Sequence, residues 1–121
     1  MRLYCFAVLF LIFTACKSEK IEKFDAEKWK NDLKGCKNQR IQLVEALEKQ
    51  KDKLMGLSQA QIVTLLGKPD AQELQKRNAK TFTYYLLEGS QCGKGSQEGV
   101  ALIIHFGALN YVSEIRRSRY Q

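Results

Sequence analysis

The chain has 121 residues, 45% hydrophobic and 27% charged, with 20 Lys and Arg against 13 Asp and Glu for a net charge of +7. That length accommodates one domain, and a single histidine leaves no material for a histidine-based metal cluster. Apart from Arg116, Arg117 and Arg119 the basic residues are spread among acids, so anionic lipid head groups or an acidic partner surface fit the charge better than nucleic acid does.

At the start, Met1 and Arg2 precede an almost unbroken apolar run from Leu3 to Phe13, and Thr14-Ala15 places small residues directly before Cys16. A charged start, a short apolar centre and a small-residue cleavage site define a secretory signal. The run is also shorter than the roughly 20 residues a membrane span needs. Ile12-Phe13-Thr14-Ala15-Cys16 resembles a bacterial lipobox, which implies a diacylglyceryl thioether on Cys16 and an acylated amino terminus. The alternative is ordinary cleavage that leaves Cys16 a plain thiol. Two or more acyl chains anchor stably, whereas one binds only marginally. Residues 1–15 are therefore expected to be a lipoprotein signal peptide, removed together with Cys5, and 16–23 a flexible, lipid-anchored tether. Lys17 stands where Asp would favour the inner membrane of well-studied lipoproteins, so the expected location is the cell envelope, at the outer membrane.

The folded part, one α+β domain over 24–121, is expected to begin at Phe24. Asp25 suits an N-cap, Phe24 can staple against Trp29, Trp29 and Leu33 share a helical face, and Gly35 can end this short helix. Ile41, Leu43, Val44, Leu47 and Leu54 recur at helical spacing, which predicts a longer helix over 37–54 stopped by Gly56. Ser58 and Gln61 form an S-x-x-Q capping box, Leu57 and Ile62 a hydrophobic staple, and Ile62, Leu65 and Leu66 a buried face; Gly67 and Pro69 end that helix. From Thr81 the period becomes two. Strands are predicted over 81–87, 100–106 and 111–119, with a Gly- and Ser-rich loop over 88–99. The fold class is α+β: two or three helices packed on one face of a three-stranded antiparallel meander.

Gly56, Leu57, Ser58, Gln61, Ile62, Leu65, Leu66, Gly67 and Pro69, with Tyr84-Tyr85 downstream and the segments Leu102-Ile-Ile-His-Phe106 and Tyr111-Val112, resemble the small outer-membrane assembly lipoproteins of the SmpA/OmlA (BamE) family. The likeness covers about residues 54–115. It implies a helix-plus-sheet lipoprotein supporting outer-membrane protein assembly. Cys36 and Cys92 stand outside that family pattern. Export would place both in an oxidising compartment, where an intramolecular disulfide between them is expected, free or intermolecular thiols being the alternative.

No residue set carries a catalytic signature. Ser58 reads as a cap, Asp70, Glu73, Glu88, Glu98 and Glu114 as solvated acids, and Gly93-Lys94-Gly95-Ser96 lacks the spacing and following helix of a phosphate loop. Tyr84, Tyr85, Tyr111 and Tyr120 are the more promising group. Tyr84 and Tyr85 point to opposite faces of a strand, so one of them is left on the face away from the helices. The expectation is a non-enzymatic envelope protein, without cofactor or metal, that binds another envelope protein through the open sheet face, with Tyr85, His105 and Arg116 as partner-binding residues. A lipid-anchored ligand-binding protein or small hydrolase working around the 88–99 loop, and a secreted inhibitor-like binding domain, are the alternatives.

Overall fold

The computed structural model describes residues 20–93 and 98–120; the signal segment and Cys16 lie outside these. Four helices, α1 (Ala26–Asn31), α2 (Arg40–Lys49), α3 (Lys51–Leu54) and α4 (Gln59–Leu66), precede and pack against a sheet of four antiparallel strands, β1 (Ala71–Leu74), β2 (Lys80–Tyr85), β3 (Gly99–Phe106) and β4 (Val112–Tyr120), in the order β1-β2-β3-β4. The α+β class and meander topology hold, but the sheet has four strands rather than three. The added strand, β1, runs antiparallel to β2 with Ala71 opposite Thr83 and Leu74 opposite Lys80. Gln72, Glu73 and Leu74 are exposed, so this edge strand has no buried alternation for a sequence pattern to reveal.

The covered face of the sheet supplies Phe82 and Tyr84 from β2, Leu102, Ile104 and Phe106 from β3, and Val112 from β4. Against these the helices set Trp29, Val44, Leu47, Leu54, Ile62 and Leu66, each fully buried. Phe24 reaches Trp29 with ring centroids 5.6 Å apart, and Asp25 caps α1 by accepting from the Lys28 amide. The capping box of α4 forms in both directions, Gln61 N donating to Ser58 Oγ and Ser58 N to Gln61 Oε1, and Gly67 closes that helix at φ 79°.

Three local expectations need correction. Leu33 is 73% exposed rather than facing inward beside Trp29. The helix stops at Asn31 because the buried Asp32 carboxylate turns to the start of α2, accepting from the amides of Lys37, Gln39 and Arg40. This non-local cap also moves the start of the long helix from 37 to Arg40. That helix is broken at Gln50, the side chain of which grips Glu22: the Glu22 amide donates to Gln50 Oε1 at 2.9 Å and Gln50 Nε2 donates back to Glu22 O at 2.7 Å. With Ile21 buried beside them, ordered packing begins inside the segment read as tether. No helix of the described residues is long and apolar enough to cross a membrane.

Candidate functional site

The strand registers decide which side chains share the face turned away from the helices. Tyr85 lies opposite Ala101, Thr81 opposite His105 and His105 opposite Glu114, while Ile103 lies opposite Arg116 and Gly99 opposite Tyr120. Alternation then sets Thr81, Thr83 and Tyr85 of β2, Ala101, Ile103 and His105 of β3, and Glu114, Arg116, Ser118 and Tyr120 of β4 on one surface. All three sequence-predicted contact residues, Tyr85, His105 and Arg116, fall on it. Tyr84 goes the other way into the core, where burial raises its phenol well above the ordinary range and its hydroxyl donates to Gly67 O at 2.8 Å.

The surface has distinct ends. At one, Glu73, Thr81, His105 and Glu114 form a row across all four strands. His105 Nδ1 lies 3.3 Å from Thr81 Oγ1, and its Nε2 is buried without a hydrogen-bond partner among the described residues. In the middle, Ile103 sits beside Arg116, which is exposed and makes no ion pair among the described residues. At the other end Tyr85 and Tyr120 pack with ring centroids 5.2 Å apart. The Tyr120 hydroxyl donates to Gln91 Oε1, and Gln91 Nε2 donates in turn to Leu87 O and Lys34 O. Burial is the main reason the Tyr120 phenol pKa is raised.

This aromatic end is held from behind. Arg40, only 2% exposed, donates from Nε to Trp29 O at 3.0 Å and from Nη1 to Tyr85 O at 3.1 Å, and pairs with Asp70 at 2.6 Å. Its guanidinium lies 5.3 Å from the Trp29 ring centroid and 5.9 Å from that of Tyr84. Asp70, read from sequence as a solvated acid, has a side chain only 8% exposed and also accepts from the Tyr85 amide at 2.9 Å. The backbone of Tyr85 is thus fixed through both its N–H and its C=O. Gly35 presses on the same place: at φ +68°, a Cβ there would come 2.5 Å from Tyr85 O. Next to Gly35, Cys36 meets Cys92 as a disulfide with Cα atoms 5.8 Å apart, joining the helical layer to the turn that carries Gln91.

Sequence reasoning missed Gln91, Gly99 and the Arg40–Asp70 pair. Gly99, read from sequence as the last residue of the 88–99 loop, is the first residue of β3, where the missing side chain permits a close approach. A Cβ at Gly99 would overlap the Tyr120 ring that lies across it. We expect Gly99→Ala to displace that ring and lower stability by about 1–3 kcal/mol, the usual cost of overpacking. Loss of the Tyr85–Tyr120 contact from aromatic NMR shifts, together with a lower denaturation midpoint, checks this. An unchanged ring environment would refute it.

A shallow depression of about 390 Å³ lies elsewhere, lined by residues including Glu22, Gln42, Glu45 and Lys49. No group of three or more His, Cys, Asp or Glu suited to a metal occurs among the described residues. No family model matches the chain, and searches of curated proteins and of solved structures found no match either.

Proposed function

We propose that this is a non-enzymatic bacterial lipoprotein, held to the outer membrane through lipid on Cys16, whose open sheet face binds another protein of the envelope. The observation that carries the reading is the convergence of Tyr85, His105 and Arg116 on one face, beside an aromatic pair locked by a disulfide-tethered turn. Tyrosine and arginine on a partly apolar surface are residue types that dominate protein-binding energy, and here the tyrosine is held in place. Preorganisation reduces the ordering cost of association. The lipobox and the likeness to outer-membrane assembly lipoproteins favour a role in outer-membrane protein assembly or envelope integrity.

The test is capture from detergent-solubilised membranes after crosslinking in intact cells. The wild-type chain is expected to recover an envelope protein, and Tyr85→Ala/Arg116→Glu to recover about tenfold less, as loss of hot-spot contacts predicts. Equal recovery by the two chains, or no partner above background, would count against the proposal.

A further inference from the structure

β4 is nine residues long and forms one lateral edge of the sheet, with β3 as its paired neighbour. The start of that edge is already taken by an extended segment ahead of α4. Gly56 N donates to Val112 O at 3.0 Å, Val112 N donates to Leu57 O at 2.9 Å, and Ser58 bridges to Tyr111. The segment turns into α4 at Ser58. From Ser113 to Tyr120, no described segment pairs with the outer side of β4. An edge of that length presents a row of backbone donors and acceptors able to accept another extended chain. The opposite edge, β1, is only four residues long.

The charge on this edge decides what could lie there. β4 carries Arg116, Arg117 and Arg119 against Glu114. Arg116 is on the open face, while Arg117 and Arg119, opposite Leu102 and Val100, are on the helix side, so cations flank the edge on both faces. Glu48 engages Arg117 in a two-pronged pair, Glu98 reaches Arg119 only at 3.9 Å, and Arg116 has no ion-pair partner among the described residues. Edge charges commonly deter strand pairing. They do so here for a second copy of this chain, since antiparallel β4–β4 pairing would set arginines beside arginines. The same charges favour a strand of opposite sign.

We infer that the free edge of β4, from Ser113 to Tyr120, takes an extended acidic segment of a partner protein as a fifth strand, with carboxylates across from Arg116 and Arg119. Main-chain hydrogen bonds would hold the segment and the arginines would select it. The edge shares Arg116 and Tyr120 with the open face but would hold its ligand through the outward backbone groups of β4 rather than the Tyr85 ring, so Tyr85→Ala separates this inference from the open-face reading.

The probe is a synthetic Thr-rich peptide of about nine residues with Glu three positions apart, so that its carboxylates fall on both faces, as Arg116 and Arg119 do, and long enough to lie along the edge. It is titrated into the isotopically labelled full chain and compared with a Thr/Lys peptide and with the Thr/Glu peptide N-methylated at alternate amides. Binding should shift the amides of residues 113–120, weaken with salt, and be lost on N-methylation and with the Lys peptide. Arg116→Glu/Arg119→Glu, checked for an unchanged thermal transition, should bind about tenfold or more weakly, as reversal of close charge pairs predicts. Tyr85→Ala should bind as the wild type does. Equal binding by the N-methylated peptide, shifts centred on Tyr85, a β4–β4 dimer in sedimentation, or no binding would each overturn the inference.

Discussion

Arg40→Met is expected to lower the unfolding free energy by about 3–5 kcal/mol, because it leaves the Asp70 carboxylate buried without its cation. Methionine fills much of the space left by the arginine stem, so the effect isolates charge and hydrogen bonding from cavity formation. Five interactions end together: the ion pair with Asp70, the bonds to Trp29 O and Tyr85 O, and the stacking on Trp29 and Tyr84. For a domain of this size that corresponds to a fall in Tm of roughly 15 °C or more. Adding Asp70→Asn removes the stranded charge but keeps an acceptor for the Tyr85 amide, and should recover at least about 1 kcal/mol in a double-mutant cycle. Denaturant titration of the four chains measures both quantities. A loss below about 1 kcal/mol for Arg40→Met, or no recovery in the double variant, would show that the buried pair does not hold this end of the sheet.

Removing the bridge by Cys36→Ser/Cys92→Ser is expected to cost about 4 kcal/mol, the chain-entropy value for a loop of this length. The half-cystines are 56 residues apart and enclose α2, α3, α4, β1 and β2, so the linkage restricts a large part of the unfolded chain. A second consequence is local. Gln91, the residue before Cys92, receives the Tyr120 hydroxyl and donates to Lys34 O, so freeing the turn unlocks the Tyr85–Tyr120 end of the open face. Under the proposed function, the variant should therefore recover less protein from crosslinked membranes than the wild type does, at temperatures where its fold remains intact by circular dichroism. Denaturation midpoints of the oxidised, reduced and double-serine proteins measure the stability part. If all three coincide, the bridge contributes nothing to stability.

Much of the fold was legible in the sequence because its cues are local. Ser58 and Gln61 lie within one turn of each other, and the period-two runs over β2 and β3 alternate between a buried and an open face, which separates Tyr84 from Tyr85. The pairing of Cys36 with Cys92 followed from compartment chemistry. What escaped was non-local. Asp32 caps a helix eight residues on, Gln50 breaks a helix to hold Glu22, and Arg40 is buried only because Asp70, thirty residues later, returns to meet it. Asp70 alone read as a solvated acid and Arg40 carried no local signal, and their meaning lies in the pair. β1 escaped for another reason: an exposed edge strand is stabilised through its backbone, which composition does not record.

The grip of Gln50 on Glu22 has a mechanical consequence. A pull on the chain ahead of Ile21 reaches the fold first at the joint between α2 and α3, where one side-chain amide clasps the Glu22 backbone at both N–H and C=O. Tension therefore enters through the helical layer, on the side away from Tyr85, His105 and Arg116.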